Sequence, residues 1–285
     1  MADLELLTIK LQQMTIESTN LQNSTDTAIT YSECYQQCFC SDNLELMKTI
    51  ESNTIDLIYC DILYGTGRKF ADYQDLKPIR SEIESHYIPR IKEMHRILKP
   101  TGSIYLQMDT RINHWMRILI DDIFGYDRFL NEISWGYNWG GVAKNKYPKK
   151  HDIILFYSKT KHYTYNIQYE TYKTKDKRWH NNESGKSIRD IWDDIPIINT
   201  MSNERLGYDM QKPKALIERI IKTSSNEGDL VADFYLGSGT TAEVCKDLNR
   251  NFIGCDINPR AIEITNNRIF NKINNYERIF KQQLF

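Results

Sequence analysis

Asp233-Phe234-Tyr235-Leu236-Gly237-Ser238-Gly239-Thr240-Thr241 is followed, after a gap of helical length, by Asn251-Phe252-Ile253-Gly254-Cys255-Asp256. The apolar residues ahead of Asp233 predict a buried strand, the two glycines a tight turn, and Ser238 to Thr241 the start of a helix. The second stretch reads as another strand that ends in an acid. Glycines at such a turn let the backbone approach a ligand closely, and an acid about 20 residues further on accepts hydrogen bonds from ribose hydroxyls. This is half of a nucleoside-binding α/β unit. It is not the dinucleotide fingerprint, because Thr241 stands where a third glycine would be.

A second motif lies far upstream. Asp61-Ile62-Leu63-Tyr64-Gly65-Thr66-Gly67 follows Thr54-Ile55-Asp56-Leu57-Ile58-Tyr59-Cys60, a short apolar run typical of a buried parallel strand. An acid at the carboxyl end of such a strand, with an aromatic residue and a glycine-rich loop after it, sits where α/β folds bind ligands. In this order the two motifs resemble those of the S-adenosylmethionine-dependent DNA amino-methyltransferases of the β class. There a catalytic Asp-Pro-Pro-Tyr precedes a cofactor motif Asp-Pro-Phe-x-Gly-Ser-Gly-Thr-Thr. Further matches extend the resemblance over most of the chain. Phe39-Cys40-Ser41-Asp42-Asn43-Leu44 is similar to the family's first strand and Gly-Asp-Asn loop, and Leu98-Lys99-Pro100-Thr101-Gly102-Ser103-Ile104-Tyr105-Leu106 to its turn into a central strand. Lys150-His151-Asp152-Ile153-Ile154-Leu155-Phe156-Tyr157 resembles another family strand. Arg205-Leu206-Gly207-Tyr208-Asp209-Met210-Gln211-Lys212-Pro213 resembles the segment beside the methionine end of the cofactor.

The resemblance implies an α/β fold: a doubly wound, mostly parallel seven-stranded methyltransferase sheet with permuted motif order, one antiparallel edge pair and an inserted target-recognition region. The expected division is an N-terminal arm or helix at 1–30, a catalytic half at 31–136, the target-recognition region at 137–200 and a cofactor-binding half at 201–285. A length of 285 residues suits one large α/β domain with an insert. No apolar run reaches the roughly 18–20 residues that span a membrane. The acidic start Met1-Ala2-Asp3-Leu4-Glu5 is unlike a signal peptide, and a cytoplasmic setting is expected.

The net charge of −1 does not by itself point to nucleic acid. Its distribution does. From Tyr137 to His180 the chain carries Lys144, Lys146, Lys149, Lys150, Lys159, Lys161, Lys173, Lys175, Lys177 and Arg178 against Asp152, Glu170 and Asp176, with tyrosines and tryptophans interleaved. Such a segment is either a solvated, lysine-rich β-ribbon or a surface that neutralises phosphates and reaches bases. The family keeps its target-recognition region here, which favours double-stranded DNA as partner. A homodimer and a cognate restriction endonuclease stay open.

Methyl transfer to an exocyclic amine is difficult because the nitrogen lone pair is delocalised into the ring. Acceptors aimed at both amine hydrogens favour a pyramidal nitrogen, which is electrostatic preorganisation. By the resemblance, Asp61 and the carbonyl of Ile62 supply those acceptors and Tyr64 stacks on the target base, which has to leave the duplex to be reached. An acid at the first position matches the adenine-N6 branch; cytosine-N4 enzymes more often begin with Ser. For S-adenosylmethionine the expected contacts are Asp233, Gly237, Ser238, Gly239 and Thr240 near the methionine and ribose, and Asp256 on the ribose hydroxyls. Asp42 is either a contact to the adenine amine or a helix N-cap. Gln211 and Lys212 belong at the amino-acid end, or Lys212 marks a helix start. Residues 65–75 carry Arg68 and Lys69 on a flexible tether suited to closing over DNA and cofactor.

Ile62 and Leu63 replace two motif prolines, so the carbonyls survive and the φ restraint does not. Either the enzyme tolerates this, or the chain is an impaired DNA- or RNA-binding partner of another subunit; methylation of cytosine N4 is a further alternative. Cys34, Cys38 and Cys40 lack a CxxC pair and a nearby histidine, so no metal site is expected.

Overall fold

The computed structural model describes residues 35–70, 73–138, 141–172, 184–208 and 210–282, with side chains given to residue 270. The expected N-terminal arm, Cys34, and the basic residues Lys173, Lys175, Lys177 and Arg178 lie outside the described residues.

In chain order the main elements are β1 (Gln36–Cys40), α1 (Asn43–Thr49), β2 (Ile55–Asp61), α2 (Arg80–Ile97), β3 (Leu98–Met108), α3 (Asn113–Phe124), β4 (Phe129–Gly136) and β5 (His151–Ser158). Two short strands, β6 (Tyr169–Glu170) and β7 (Lys186–Ser187), pair with each other. β8 (Ile191–Trp192), α4 (Lys214–Ser224), β9 (Leu230–Asp233), α5 (Thr240–Asp247), β10 (Asn251–Asp256) and α6 (Pro259–Gln282) complete the chain.

The central sheet runs β1-β10-β9-β2-β3-β5-β4-β8. Seven of these strands are the expected ones, and two-residue β8 adds an eighth at the edge beside β4. The reversed strand is β5, but it is not at an edge. It lies between β3 and β4 and is antiparallel to both, because the α3 crossover skips one strand position and the chain returns into the gap. The span 137–200 thus gives β5 and β8 to the central sheet, and the Trp135 indole fastens it by donating to the Ile195 carbonyl at 2.8 Å.

Strand β2 shows why the sheet is covered on both sides. Ile58 and Cys60 pack with Tyr87, Ile91 and Met116 from α2 and α3, while Leu57 and Tyr59 pack with Leu216, Ile220 and Val244 from α4 and α5. Alternate residues face opposite ways, and both sets are buried. Helix α2 aims Ile83, Tyr87, Ile91, Met94 and Ile97 inward; Ile88, off that stripe, is 37% exposed.

Between β9 and β2 the winding reverses, since β2 leads to β3 on one side and β9 to β10 on the other. The crevice outside the carboxyl ends of strands at such a switch point is where open α/β sheets bind ligands.

Candidate active site

At that crevice lies a cavity of about 460 Å³, within the range of small-molecule sites. It joins the two sequence motifs. Asp61 ends β2, Asp233 ends β9, Asp256 ends β10, and Asp42 follows β1; all four line the cavity. Ile62, Tyr64, Gln211, Lys212, Gly237, Ser238 and Thr240 line it too.

Around Asp61 the contacts are dense. The Lys212 ammonium, only 8% exposed, donates to Asp61 Oδ2 and, at 3.2 Å, to the carbonyl of Met210. The Tyr64 hydroxyl donates to Asp61 Oδ1 at 2.7 Å, and Lys212 Nζ is 5.5 Å from the Tyr64 ring centre. Burial pushes the Asp61 carboxyl up from its ordinary range, and Lys212 and Tyr64 pull back against that shift. Lys212 therefore serves Asp61 as it stands, and its carbonyl also accepts from Thr240 Oγ1 at 3.1 Å.

The loop after Asp61 is held without prolines. Ile62 is 2% exposed and donates its N–H to the Gln107 carbonyl at 3.1 Å, while the Leu63 carbonyl accepts from the Tyr87 hydroxyl at 2.9 Å.

The glycine turn is built by its neighbours. Gly237 has φ +52° and gives its N–H to Asp256 Oδ2 at 2.8 Å. Gly239 has φ +76° and packs so close to α6 that a Cβ there would lie 2.4 Å from Thr265 Oγ1. Gly239 does not line the cavity; its place is set by this helix contact. Asp233, 2% exposed, accepts from the Tyr235 N–H at 3.0 Å and the Thr241 hydroxyl at 2.6 Å. Burial pushes its carboxyl up to about 7. Arg268 of α6 donates to the Ser238 carbonyl and to Thr240 Oγ1 and forms a buried ion pair with Glu243.

Asp42 is an N-cap and lines the cavity as well. Its Oδ1 accepts from the Leu44 and Glu45 N–H groups of α1, and its Oδ2 pairs with Arg90 at 2.9 Å. Arg90, which sequence reading passed over, also donates to Asn43 Oδ1 at 2.6 Å. Beside it, burial and Arg90 push the His86 imidazole down to about 4, and its Nε2 is 3.1 Å from the Tyr235 hydroxyl. Gln211 turns its amide onto its own loop, donating to the Glu204 carbonyl and accepting from the Leu206 N–H. Both of its polar atoms are thereby engaged.

The described residues of the span 65–75 carry their own hydrogen bonds. Gly67 donates to Leu76, Asp75 to Arg68 and Phe70 to Tyr73, so residues 67–70 pair with 73–76, and the base is clamped by Asp75, 3% exposed, on the N–H groups of Gly65, Thr66 and Leu76. Tyr73, Gln74 and Leu76 face the cavity, while Arg68 and Lys69 are exposed. On the other side, Lys144, Lys146 and Lys149 lie on an exposed loop between β4 and β5, with Lys149 3.2 Å from Asp109 and Lys150 partly buried at its end. Val142 and Tyr147 on this loop are 91% and 95% exposed. Since β5 starts beside Met108 and Gln107, the loop springs from the same end of the sheet as Asp61. Among the described residues no group of three or more His, Cys, Asp or Glu side chains is placed to hold a metal ion, and no helix is long and apolar enough to cross a membrane.

Residues 55–267, which include both motifs and every cavity wall except Ser41, Asp42 and Asn43, match the family profile described as DNA methylase. The chain belongs to the DNA methylase family. This methylase is 35% identical over 246 residues to the type II methyltransferase M.HpaI of Haemophilus parainfluenzae, covering 86% of the chain and 77% of that protein. It is 30% identical over 239 residues to the DNA adenine methyltransferase YhdJ of Escherichia coli K12, covering 78% and 79% of the two chains. Among solved structures it resembles the cytosine-N4-specific PvuII DNA methyltransferase, with a TM-score of 0.64 at 18% identity over 85% of the chain and 90% of that structure. It also resembles an M1.HpyAVI complex with S-adenosylmethionine, with a TM-score of 0.57 at 21% identity over 82% and 98%. At these identities the structural likeness shows the fold alone.

Proposed function

We propose that this methylase transfers a methyl group from S-adenosylmethionine to the N6 amine of adenine in double-stranded DNA. The observation that carries the proposal is the meeting of Asp61 with Asp256, Asp233 and the Gly237 turn in one cavity. Adenine is favoured by the acid at position 61 and by the likeness to a protein named as a DNA adenine methyltransferase.

The cavity suits a nucleoside with a charged tail. It has acids at Asp42 and Asp256, a close backbone approach at Gly237 and apolar walls at Phe234 and Ile257. In this reading Asp256 accepts from ribose hydroxyls, Asp42 borders the adenine ring, and Lys212 lies toward the amino-acid end. Asp233, Ser238, Gly239 and Thr240 shape the turn between them. The donor supplies an electrophilic methyl on a sulfonium sulfur. Asp61 and the Ile62 carbonyl then take the two amine hydrogens as acceptors, and the Tyr64 ring forms the wall on which the extruded base stacks. The span 137–200 acts as the target-recognition region, with Lys144, Lys146, Lys149 and Lys150 on phosphates and Arg68 and Lys69 approaching from the paired segment 67–70. A cytoplasmic setting, a homodimer and a cognate restriction endonuclease belong to the same reading.

The non-catalytic alternative rested on Ile62 and Leu63. The Gln107 and Tyr87 hydrogen bonds restrain that loop by other means, which supports activity. Tritiated methyl incorporation into unmethylated duplex DNA tests the proposal. The wild-type chain is expected to label DNA and Asp61→Ala to lose that labelling; equal labelling by the variant would remove Asp61 from the reaction.

A further inference from the structure

The Tyr64 hydroxyl lies 2.7 Å from Asp61 Oδ1 and also 2.8 Å from Asp152 Oδ2. A phenol carries one hydrogen and cannot donate it to both. Its hydrogen can serve either carboxylate, one at a time. The phenol thus bridges the two acids, with a position for its hydrogen on either side.

The two acids are not equivalent. Asp61 lines the cavity and faces the Lys212 ammonium. Asp152 does not line the cavity and is 6% exposed. Besides Tyr64 it meets Gln107 Nε2 at 2.9 Å and the Tyr137 hydroxyl at 3.1 Å, and no ion pair to it is found among the described residues. The Gln107 amide is oriented by the Tyr59 hydroxyl, which donates to its Oε1 at 2.8 Å, so its N–H₂ end has to face Asp152. An uncharged carbonyl would accept these bonds without the cost of burying a carboxylate. What a carboxylate adds is the capacity to take a proton.

Amine methylation has a proton to dispose of. As the N–C bond forms, the C–S bond breaks with its electron pair left on sulfur, and nitrogen holds two hydrogens and a positive charge until one leaves as H⁺. We propose that this proton leaves through Asp61 and the Tyr64 hydroxyl to Asp152, which makes Asp152 a positioning residue for the reaction proposed above. Asp61 takes the proton from nitrogen and passes it to the Tyr64 oxygen, while the Tyr64 hydrogen moves to Asp152 Oδ2. At the end Asp61 is again a carboxylate, Tyr64 a neutral phenol and Asp152 a carboxylic acid. Tyr137, partly exposed on Asp152 Oδ1, marks the way to solvent. The groups facing Asp152 are Tyr59 and Asp61 of β2, Tyr64 beyond it, Gln107 of β3 and Tyr137 after β4, with Lys212 on the far side of Asp61.

The test is single-turnover methyl transfer to duplex DNA by the full chain with S-adenosylmethionine, comparing wild type, Asp152→Asn, Tyr64→Phe and the double variant. The relay predicts that Asp152→Asn slows transfer on the order of 10²-fold, while donor and DNA dissociation constants stay within about twofold. The lost rate should return as pH rises and as imidazole is added, because solvent base replaces the missing acceptor. The double variant should be no slower than the slower single one, since both break one chain. Wild-type speed in Asp152→Asn overturns the relay. So does a loss that ignores pH and imidazole and multiplies with that of Tyr64→Phe, because a packing defect behaves in that way. If Asp152→Asn fails to fold, the imidazole response of Tyr64→Phe decides by the same criterion. A wild-type chain that leaves DNA unmethylated overturns the relay together with the proposed function, whereas an active wild type with an unaffected Asp152→Asn overturns the relay alone.

Discussion

The Ile62 N–H donates to the carbonyl of Gln107 at 3.1 Å, extending the β2–β3 ladder by one rung past Asp61. A proline at position 62, as in the motif this stretch resembles, has no hydrogen to give. Gln107 is fully buried, so its carbonyl would lose its partner out of reach of water. Ile62→Pro should therefore destabilise the fold by about 1–3 kcal/mol. Leu63→Pro removes no hydrogen bond found among the described residues and keeps the carbonyl that Tyr87 holds, so it should cost less. Urea unfolding followed by tryptophan fluorescence ranks the two; the reverse order would contradict this account of the loop.

Asp233 gives the stability a pH dependence. Burial raises its carboxyl from 3.8 to about 7, so the folded chain holds a proton that the unfolded chain releases. The stability this contributes is complete below about pH 4 and is lost as pH rises to about 7, at up to about 1.4 kcal/mol per pH unit. Asp233→Asn keeps the shape and removes the titration. Its urea midpoint should gain on the wild type between pH 4 and pH 7, and parallel pH profiles would show that Asp233 is not the source.

The two turn glycines should differ in their tolerance of alanine. At Gly237 a Cβ meets only Tyr208 Cε1 at 3.4 Å, so Gly237→Ala bears chiefly the left-handed strain of about 1–2 kcal/mol. At Gly239 the same strain is joined by contacts of 2.4 to 2.8 Å with Thr265, and α6 would have to move. Thermal melts should put Gly239→Ala well below Gly237→Ala.

Much of this architecture was legible in the chain. Strand β2 announces burial on both faces through the apolar run Leu57-Ile58-Tyr59-Cys60, and Asp61, Asp233 and Asp256 each end a strand beside a glycine turn or a tight loop. What escaped depends on partners far away in sequence. Asp152 is one acid in an apolar strand, and nothing local shows that Tyr64, 88 residues earlier, reaches its carboxylate. Nothing around Arg90 in α2 signals a partner, yet it crosses 48 residues to Asp42. The pairing of residues 67–70 with 73–76 is closed by one buried acid, Asp75, which composition does not single out. Gln211 lines the cavity as expected of its position, but its bonds to its own loop were not legible: positive φ at Gly207 (+73°) and Met210 (+60°) brings Glu204 and Leu206 within reach of its amide.

Lys144 and Lys146 are exposed on the loop that leaves the end of the sheet where Asp61 lies. In the proposed complex they neutralise phosphates, which affects affinity rather than chemistry. Lys144→Ala with Lys146→Ala should raise the DNA KM, leave kcat near wild type, and lower the salt slope of binding by about 2, close to one for each phosphate no longer neutralised. A fall in kcat with an unchanged salt slope would place these residues elsewhere in the mechanism.

The most direct measurement is the identity of the modified base. The wild-type chain is incubated with S-adenosylmethionine and unmethylated genomic DNA, the DNA is digested to nucleosides, and methylated bases are quantified by mass spectrometry. The account predicts N6-methyladenine, absent from the same reaction with Asp61→Ala. N4-methylcytosine in its place, or no methylated base at all, would contradict it.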